Sequence, residues 1–365
     1  MKTIVISAVN LRKGGTLTIL NDCLRAFSEW NSREEHRVVA VVHRKELAFY
    51  PHIDYIELPW SVRSWLHRLW CEYVTLHQVS KQLGEVSLWL SLHDTTPRVK
   101  AERQAVYCHN PFPFFRWHWQ HFFLNYRIVC FALFTKLIYR INIHRNQYII
   151  VQQEWLRKAF QQMFGIDRKK IIVTTPDTPT STLAERSPQG TVRFIYPAFP
   201  DVHKNFECLC EAARLLEKEV GEQRFEVLLT TTPDMNKYSR WIVRKWGDVK
   251  SIRLCGFLSR EELYEMYASA DCLVFPSKVE TWGLPISEFK PTGAPMILAD
   301  LPYAHETAAG SLQVAFFNPE NPTELKDLML NILDGDCHCF KALPDINYEQ
   351  PYTTDWFQTI ETLIK

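Results

Sequence analysis

Short runs of β-branched and aliphatic residues alternate along this chain with stretches whose apolar positions return every three or four residues. The runs read as strands at Thr3–Ser7, Val38–Val42, Val86–Leu92, Ala105–Cys108, Tyr148–Val151 and Lys170–Thr174. Between them, Leu17, Leu20, Leu24 and Phe27, and then Val62, Trp65, Leu66, Leu69, Tyr73 and Leu76, mark helical faces. The pattern breaks at Thr174–Gly190, where Pro176, Pro179 and Pro188 mix with Thr, Ser and Asp as in an interdomain linker. It then restarts, with strands expected at Val192–Tyr196, Phe225–Thr230, Ser251–Cys255, Cys272–Phe275, Pro295–Ala299 and Gln313–Phe316. Helices are expected at Asn205–Val220, Lys237–Lys245, Glu261–Ala268, Pro285–Lys290, Thr323–Leu333 and Thr353–Ile364.

Such alternation predicts an α/β protein whose parallel sheets are built from βαβ units. Two Rossmann-like, doubly wound lobes are expected to face each other across a cleft. Their boundaries are 1–185 and 186–345, and a C-terminal helical segment, 346–365, packs back across the lobes. Ligands of doubly wound sheets bind beyond the carboxyl ends of the strands. The chemistry is therefore sought in loops that follow strands.

Charge sharpens this division. The 365 residues carry 42 Lys+Arg and 41 Asp+Glu, a balance that excludes a dedicated nucleic-acid binder, whose whole domain is basic. Residues 1–185 hold 24 basic and 15 acidic side chains, and the remainder hold 18 and 26. Two lobes with different partners are implied. The ten cysteines read as reduced cytosolic thiols, and neither Cys208/Cys210 nor Cys337/Cys339 has a second pair at zinc spacing, so no metal site is expected. The apolar run after Met1 is too short for a signal-peptide core, and the longest uninterrupted apolar run in the aromatic middle, Ile128–Phe134, is too short to span a bilayer.

The most specific segment is Phe275-Pro-Ser-Lys-Val-Glu-Thr-Trp-Gly-Leu-Pro-Ile-Ser-Glu288. Glu280 lies in a loop after a buried strand and Glu288 one turn inside the next helix. Gly283 and Leu284 precede Pro285, a natural first helical residue. Backbone N–H groups there, with the helix dipole, can hold a phosphate. A carboxylate one turn in can accept from ribose hydroxyls, and the looped one can meet a sugar. For an isolated Glu pair, two solvated glutamates on a surface turn would explain as much; the whole string is far rarer.

Pro276 to Glu288 follow P-S-x-x-E-x-x-G-L-P-x-x-E, and here the chain resembles the retaining glycosyltransferases of family 4, which have the GT-B fold. The resemblance is firm for residues 190–335 and looser before that. It implies a nucleotide-sugar donor, UDP- or GDP-linked, bound by the second lobe, with Gly256-Phe257-Leu258 passing the base and Lys204, in Asp201-Val-His-Lys-Asn205, neutralising the diphosphate. The family usually places Arg five residues before that Lys; this chain has Phe199. Either His203, or Arg12 or Lys13 from the first lobe, supplies the missing charge, or the leaving diphosphate is stabilised less.

In the first lobe Gly14-Gly15 follows the first strand and opens the first helix, where backbone can approach a ligand or simply turn tightly. The resemblance places that loop beside the donor phosphates and the acceptor. His109, in Tyr107-Cys-His-Asn110-Pro111, ends a strand and matches the family's active-site histidine. Asp94 ends the neighbouring strand and either orients an acceptor hydroxyl, with Asn110 nearby, or is a satisfied polar group. The sequence offers no evident protein nucleophile and no Asp-x-Asp motif. Front-face displacement without a divalent ion or other cofactor fits, with Glu280 and His109 around the sugar and Lys204 on the diphosphate.

From Arg103 through Gln153 there is no Asp or Glu in 51 residues, while six Lys or Arg occur, and residues 112–139 contain 11 aromatics. This reads either as a surface for anionic phospholipid or as the core packing of a long helix. On one continuous helix Lys136 and Arg140 lie on one side and Arg116 and Arg127 nearly opposite, so no single polar stripe decides between them. The expectation is a cytoplasmic enzyme, peripheral at the inner face of the cytoplasmic membrane, adding a sugar to a growing, lipid-linked glycan in surface polysaccharide assembly. A soluble acceptor, or a nucleotide-sugar-binding subunit with little turnover, are the alternatives.

Overall fold

The computed structural model describes residues 2–176 and 190–365; most of the predicted linker, with Pro179, Pro188 and the boundary at Glu185, lies outside them. Among the described residues the strands are β1 Lys2–Ala8, β2 His36–Val42, β3 Asp54–Glu57, β4 Val86–Ser91, β5 Arg103–Cys108, β6 Tyr148–Val151, β7 Ile171–Thr174, β8 Val192–Tyr196, β9 Phe225–Leu229, β10 Ile252–Leu254, β11 Cys272–Phe275, β12 Met296–Ala299, β13 Val314–Phe317 and β14 Tyr352–Thr353. They form two all-parallel sheets, ordered β14-β7-β6-β5-β4-β1-β2-β3 and β10-β9-β8-β11-β12-β13. The chain divides into two compact units, one of residues 1–110, 134–177 and 348–365, the other of 111–133 and 178–347.

In the first unit, alternation along β1 sends Ile4, Ile6 and Ala8 to one face and Val5 and Val9 to the other, so both faces need helical cover. Helix Gly14–Trp30 supplies Leu20, Cys23, Leu24 and Phe27 to the first face, joined there by Ile360 and Leu363 of helix Trp356–Ile364. The C-terminal segment thus belongs to this unit, adding β14 beside β7 and stacking Trp356 on Tyr107 with ring centroids 5.3 Å apart.

The helix expected through Val62–Leu76 is broken. Pro59 opens a 3₁₀ turn, Pro59–Val62, and Ser64 caps helix Trp65–Trp70 by accepting from His67 N–H. A wider π-type turn, Cys71–Thr75, then leads into helix Leu76–Gln82. That turn carries Cys71 and Glu72 inward, where both are buried.

Residues 111–133, expected in the first lobe, cluster with the second unit, for identifiable reasons. Phe112 and Phe115 set their edges against the His203 ring at 5.2 and 6.3 Å. Asn125 Nδ2 donates to Asp201 Oδ1 at 3.0 Å, and Lys237 Nζ donates to the Phe123 carbonyl. Residues 118–121 and Leu124 also wall a pocket of about 520 Å³ with Trp241, Trp246 and Glu207, whose lining includes none of the predicted site residues. Helix Trp119–Arg140 continues from this segment; Asn125 is its one non-helical residue, and the Asn125 side chain accepts from Ile128 N–H, starting the helix afresh.

Candidate active site

In the second sheet β8 is flanked by β9 on one side and β11 on the other, so the winding direction reverses between β8 and β11. Ligands of open α/β sheets bind at such a switch point. The loops leaving β8 and β11 carry Lys204 and Glu280, and the structure brings them together: Lys204 Nζ donates to Glu280 Oε1, with both side chains mostly enclosed. Ser277 Oγ donates to the same oxygen at 2.6 Å, and Lys204 Nζ stands 5.9 Å from the centre of the Phe275 ring.

The two loops are locked to each other by backbone. Lys278 N–H donates to the His203 carbonyl at 2.8 Å, and Asn205 Nδ2 reaches the Pro276 and Pro319 carbonyls. Tyr196 OH donates to Lys204 O and Tyr303 OH to Ser277 O, each at 2.7 Å. Asp201 caps the short turn Val202–Lys204, accepting from Val202 N–H, and burial raises its carboxyl above the usual range. The pair is preorganised on rigid supports.

Gly283 precedes helix Leu284–Phe289 with φ of 91°, a left-handed value that favours glycine, and a Cβ there would sit 3.3 Å from Ile286 Cδ1. No side chain caps this helix. Glu288 lies on it, bonded by Tyr267 OH at 3.0 Å. Burial raises the Glu288 carboxyl, against the lowering effects of Tyr267 and Arg260. Beyond β10, Gly256 has φ of 75° and donates its N–H to Thr231 O, and it turns Phe257 outward until that side chain is 85% exposed, with Leu258 partly buried behind it.

His203 departs from its expected use. It is buried against Phe112 and Phe115, and burial, with Lys204 beside it, drives its pKa well below the ordinary value. A neutral ring cannot replace a missing arginine charge. Phe199, at the arginine position, is 60% exposed.

In the first sheet the switch lies between β1 and β4. Gly14, with φ of 54°, and Gly15 begin the helix after β1, no side chain caps it, and a Cβ on either glycine would meet open space. His109 and Asn110 follow β5 directly. Both donate backbone N–H to Asp94 Oδ1, at 2.7 and 3.0 Å, and His109 Nδ1 lies 3.6 Å from the same atom. Asp94 is itself buried, with φ of 69°. Its carboxylate therefore shapes the loop that presents His109.

Beside these residues lies a cluster that motif reading missed. Glu72, 1% exposed, accepts from Arg68 Nε at 2.8 Å and from Thr95 Oγ1 at 2.5 Å, and His93 Nδ1 is 3.3 Å away. His93 Nε2 also meets Ser7 Oγ at 3.1 Å, and Trp89 Nε1 donates to that oxygen. Burial alone would raise the Glu72 carboxyl; His93 and Arg68 outweigh it and hold it down to about 2. One signal was available: Arg68 and Glu72 are four apart, and Glu72 falls on the same helical stripe as Trp65, Leu69 and Leu76, where a lone acid needs a partner.

Residues 185–342 match the family described as glycosyl transferases group 1. The chain is similar to the O-antigen chain mannosyltransferase RfbU of Salmonella typhimurium, 20% identical over 255 residues, 69% of this chain and 66% of that protein. It is also similar to O-antigen chain mannosyltransferase B of Escherichia coli, 26% identical over 202 residues, covering 51% of each. The matches thus span less than two thirds of these relatives' lengths. Among solved structures, the lipopolysaccharide outer core galactosyltransferase WaaB, in its apo form, superposes with a TM-score of 0.64 at 12% identity, covering 100% of this chain and 99% of that one. The fold is GT-B, with two Rossmann-like parallel-sheet domains, and the second carries a glycosyl transferases group 1 domain.

Proposed function

We propose that this protein is a retaining glycosyltransferase that moves a sugar from a UDP- or GDP-linked donor to a hydroxyl of a lipid-linked glycan, in O-antigen or related polysaccharide assembly at the inner face of the cytoplasmic membrane. The observation that carries the reading is the Lys204–Glu280 pair at the switch point of the second sheet, inside the E-x7-E string. The names of the curated relatives support the O-antigen setting.

Without ligand, the ammonium and the carboxylate neutralise each other. An arriving diphosphate competes for the ammonium, whose three donors include two beyond the one used on Glu280. Glu280, still held by Ser277, is then free to accept from sugar hydroxyls. The uncapped N–H groups after Gly283 add positive potential for the phosphates, and Glu288 is placed for the ribose. Phe257 offers an exposed ring to the base. The acceptor oxygen bonds to the anomeric carbon on the face from which the diphosphate oxygen departs, and that oxygen takes the acceptor's proton. No divalent ion is required, so chelation with EDTA is expected to leave turnover unchanged.

The test is transfer, or slow donor hydrolysis, by purified protein across a panel of UDP- and GDP-sugars, with Lys204→Ala and Glu280→Ala as controls. Equal turnover in wild type and both variants would sink the assignment. The exposed Phe199 and neutral His203 favour a second reading, a nucleotide-sugar-binding subunit. Donor-dependent thermal stabilisation with no turnover on any acceptor would select it.

A further inference from the structure

The pocket of about 520 Å³ walled by Trp119, Trp241 and Glu207 lies wholly within the second unit, and none of the residues proposed to touch the donor lines it. Its volume falls within the range of small-molecule sites, about 300–1,000 Å³. Helix Lys237–Trp246 gives it two indoles, Trp241 and Trp246, whose ring centroids stand 5.4 Å apart at 88°. Trp246 is buried, pinned by Nε1 donating to Glu211 Oε2 at 2.9 Å, while Trp241 stays partly exposed. Trp119, from the segment 111–133, is 68% exposed.

Around these rings stand polar groups with capacity to spare. Glu207, in the first turn of helix Phe206–Val220, accepts from Tyr238 OH on one oxygen, and a carboxylate has about four lone-pair sites. Lys278 Nζ lies 2.8 Å from Glu320 Oε1, which leaves further donors on the ammonium. His121 Nδ1 accepts from His118 N–H at 3.1 Å, so in the neutral ring the proton sits on Nε2. Burial, with Lys278 and His118 nearby, lowers its pKa to about 4 and keeps it a neutral donor.

We propose that this pocket is a saccharide site separate from the donor site, taking one or two neutral pyranose units with Trp119 and Trp241 under their apolar faces and Glu207, Lys278 and His121 on their hydroxyls. Aromatic walls with a few convergent donors and acceptors suit a ligand that is apolar on its ring faces and polar at its rim. An anion is a poorer occupant, since Glu207, Glu211 and Glu320 all line the pocket and Lys278 is already engaged by one of them. A cation is poorer too. The Lys245 ammonium already stands over both indoles, 4.4 Å from the Trp246 ring centre and 5.2 Å from that of Trp241. The proposal goes beyond the transferase reading and does not rest on it.

Saturation-transfer NMR of the full chain with maltose, cellobiose, lactose and α-1,3-mannobiose tests it. Wild type is expected to bind at least one of these disaccharides. Trp119→Ala, at an exposed position that folding does not need, should weaken that binding about tenfold. The same variant should keep the wild-type melting temperature and its stabilisation by UDP or GDP. Lys204→Ala should leave disaccharide affinity unchanged. Silence from all four disaccharides, equal affinity in Trp119→Ala, loss of binding in Lys204→Ala, or displacement of the saccharide by tetramethylammonium would each overturn the proposal. The two readings fail separately. Disaccharide binding with no nucleotide stabilisation would defeat the donor site and leave this pocket standing, and nucleotide stabilisation with no disaccharide binding the reverse.

Discussion

Both sheets place charge where their winding reverses, and they use it in opposite ways. In the first unit Glu72 is sealed in, and both of its oxygens are engaged by Arg68, His93 and Thr95. In the second, Lys204 keeps 19% of its side chain accessible and spends one contact on Glu280. A buried ion pair with every direction satisfied is a strut; one with donors to spare is a receptor for an anion. Topology selects where the charge sits, and spare hydrogen-bonding capacity decides what it does.

Lys204→Ala should break the receptor and little else, lowering kcat/KM by about 1000-fold while the melting temperature moves little; a comparable loss of stability would place Lys204 among the struts. Glu72→Gln should do the converse. It strands Arg68 and His93 without their anion, and is expected to cost about 3–5 kcal/mol of stability, read by denaturant unfolding, with the activity of the remaining folded protein retained.

The pH dependence follows in sign. The Glu72 carboxyl is held below its ordinary 4.5, at about 2, so its stabilisation is present above that ordinary value and is lost as pH falls toward 2. The contribution is on the order of 3 kcal/mol, and Glu72→Gln should flatten the acid-unfolding profile over that window. Phe199→Arg, which adds a cation beside the proposed diphosphate site, should raise turnover about tenfold. Phe257→Ala should raise the donor KM by roughly fivefold, the worth of one lost stacking partner at an exposed site.

The strands were legible because parallel sheets with helices on both faces demand continuous apolar runs; β6, β8 and β11 coincide with their expected bounds. The two-residue β14 and the four-residue β3, partly exposed, carry no such run. The candidate donor site was legible because its residues are close in sequence, with Ser277, Glu280, Gly283 and Glu288 inside thirteen positions. Glu72, His93 and Ser7 are joined only by the fold, and a π-type turn sets the direction of Glu72. Residues 111–133 misled for a related reason: their allegiance rests on contacts with Asp201, His203 and Lys237, distant in the chain.

One amide joins two parts of the second unit that local sequence would treat separately. The Asn125 oxygen accepts from Ile128 N–H and restarts the helix there, and its nitrogen holds Asp201, the cap of the turn on which Lys204 rides. The helix start and that turn therefore share one hydrogen-bonded residue. Asn125→Ala, which removes that hold on Asp201, should raise the donor KM in steady-state kinetics about threefold.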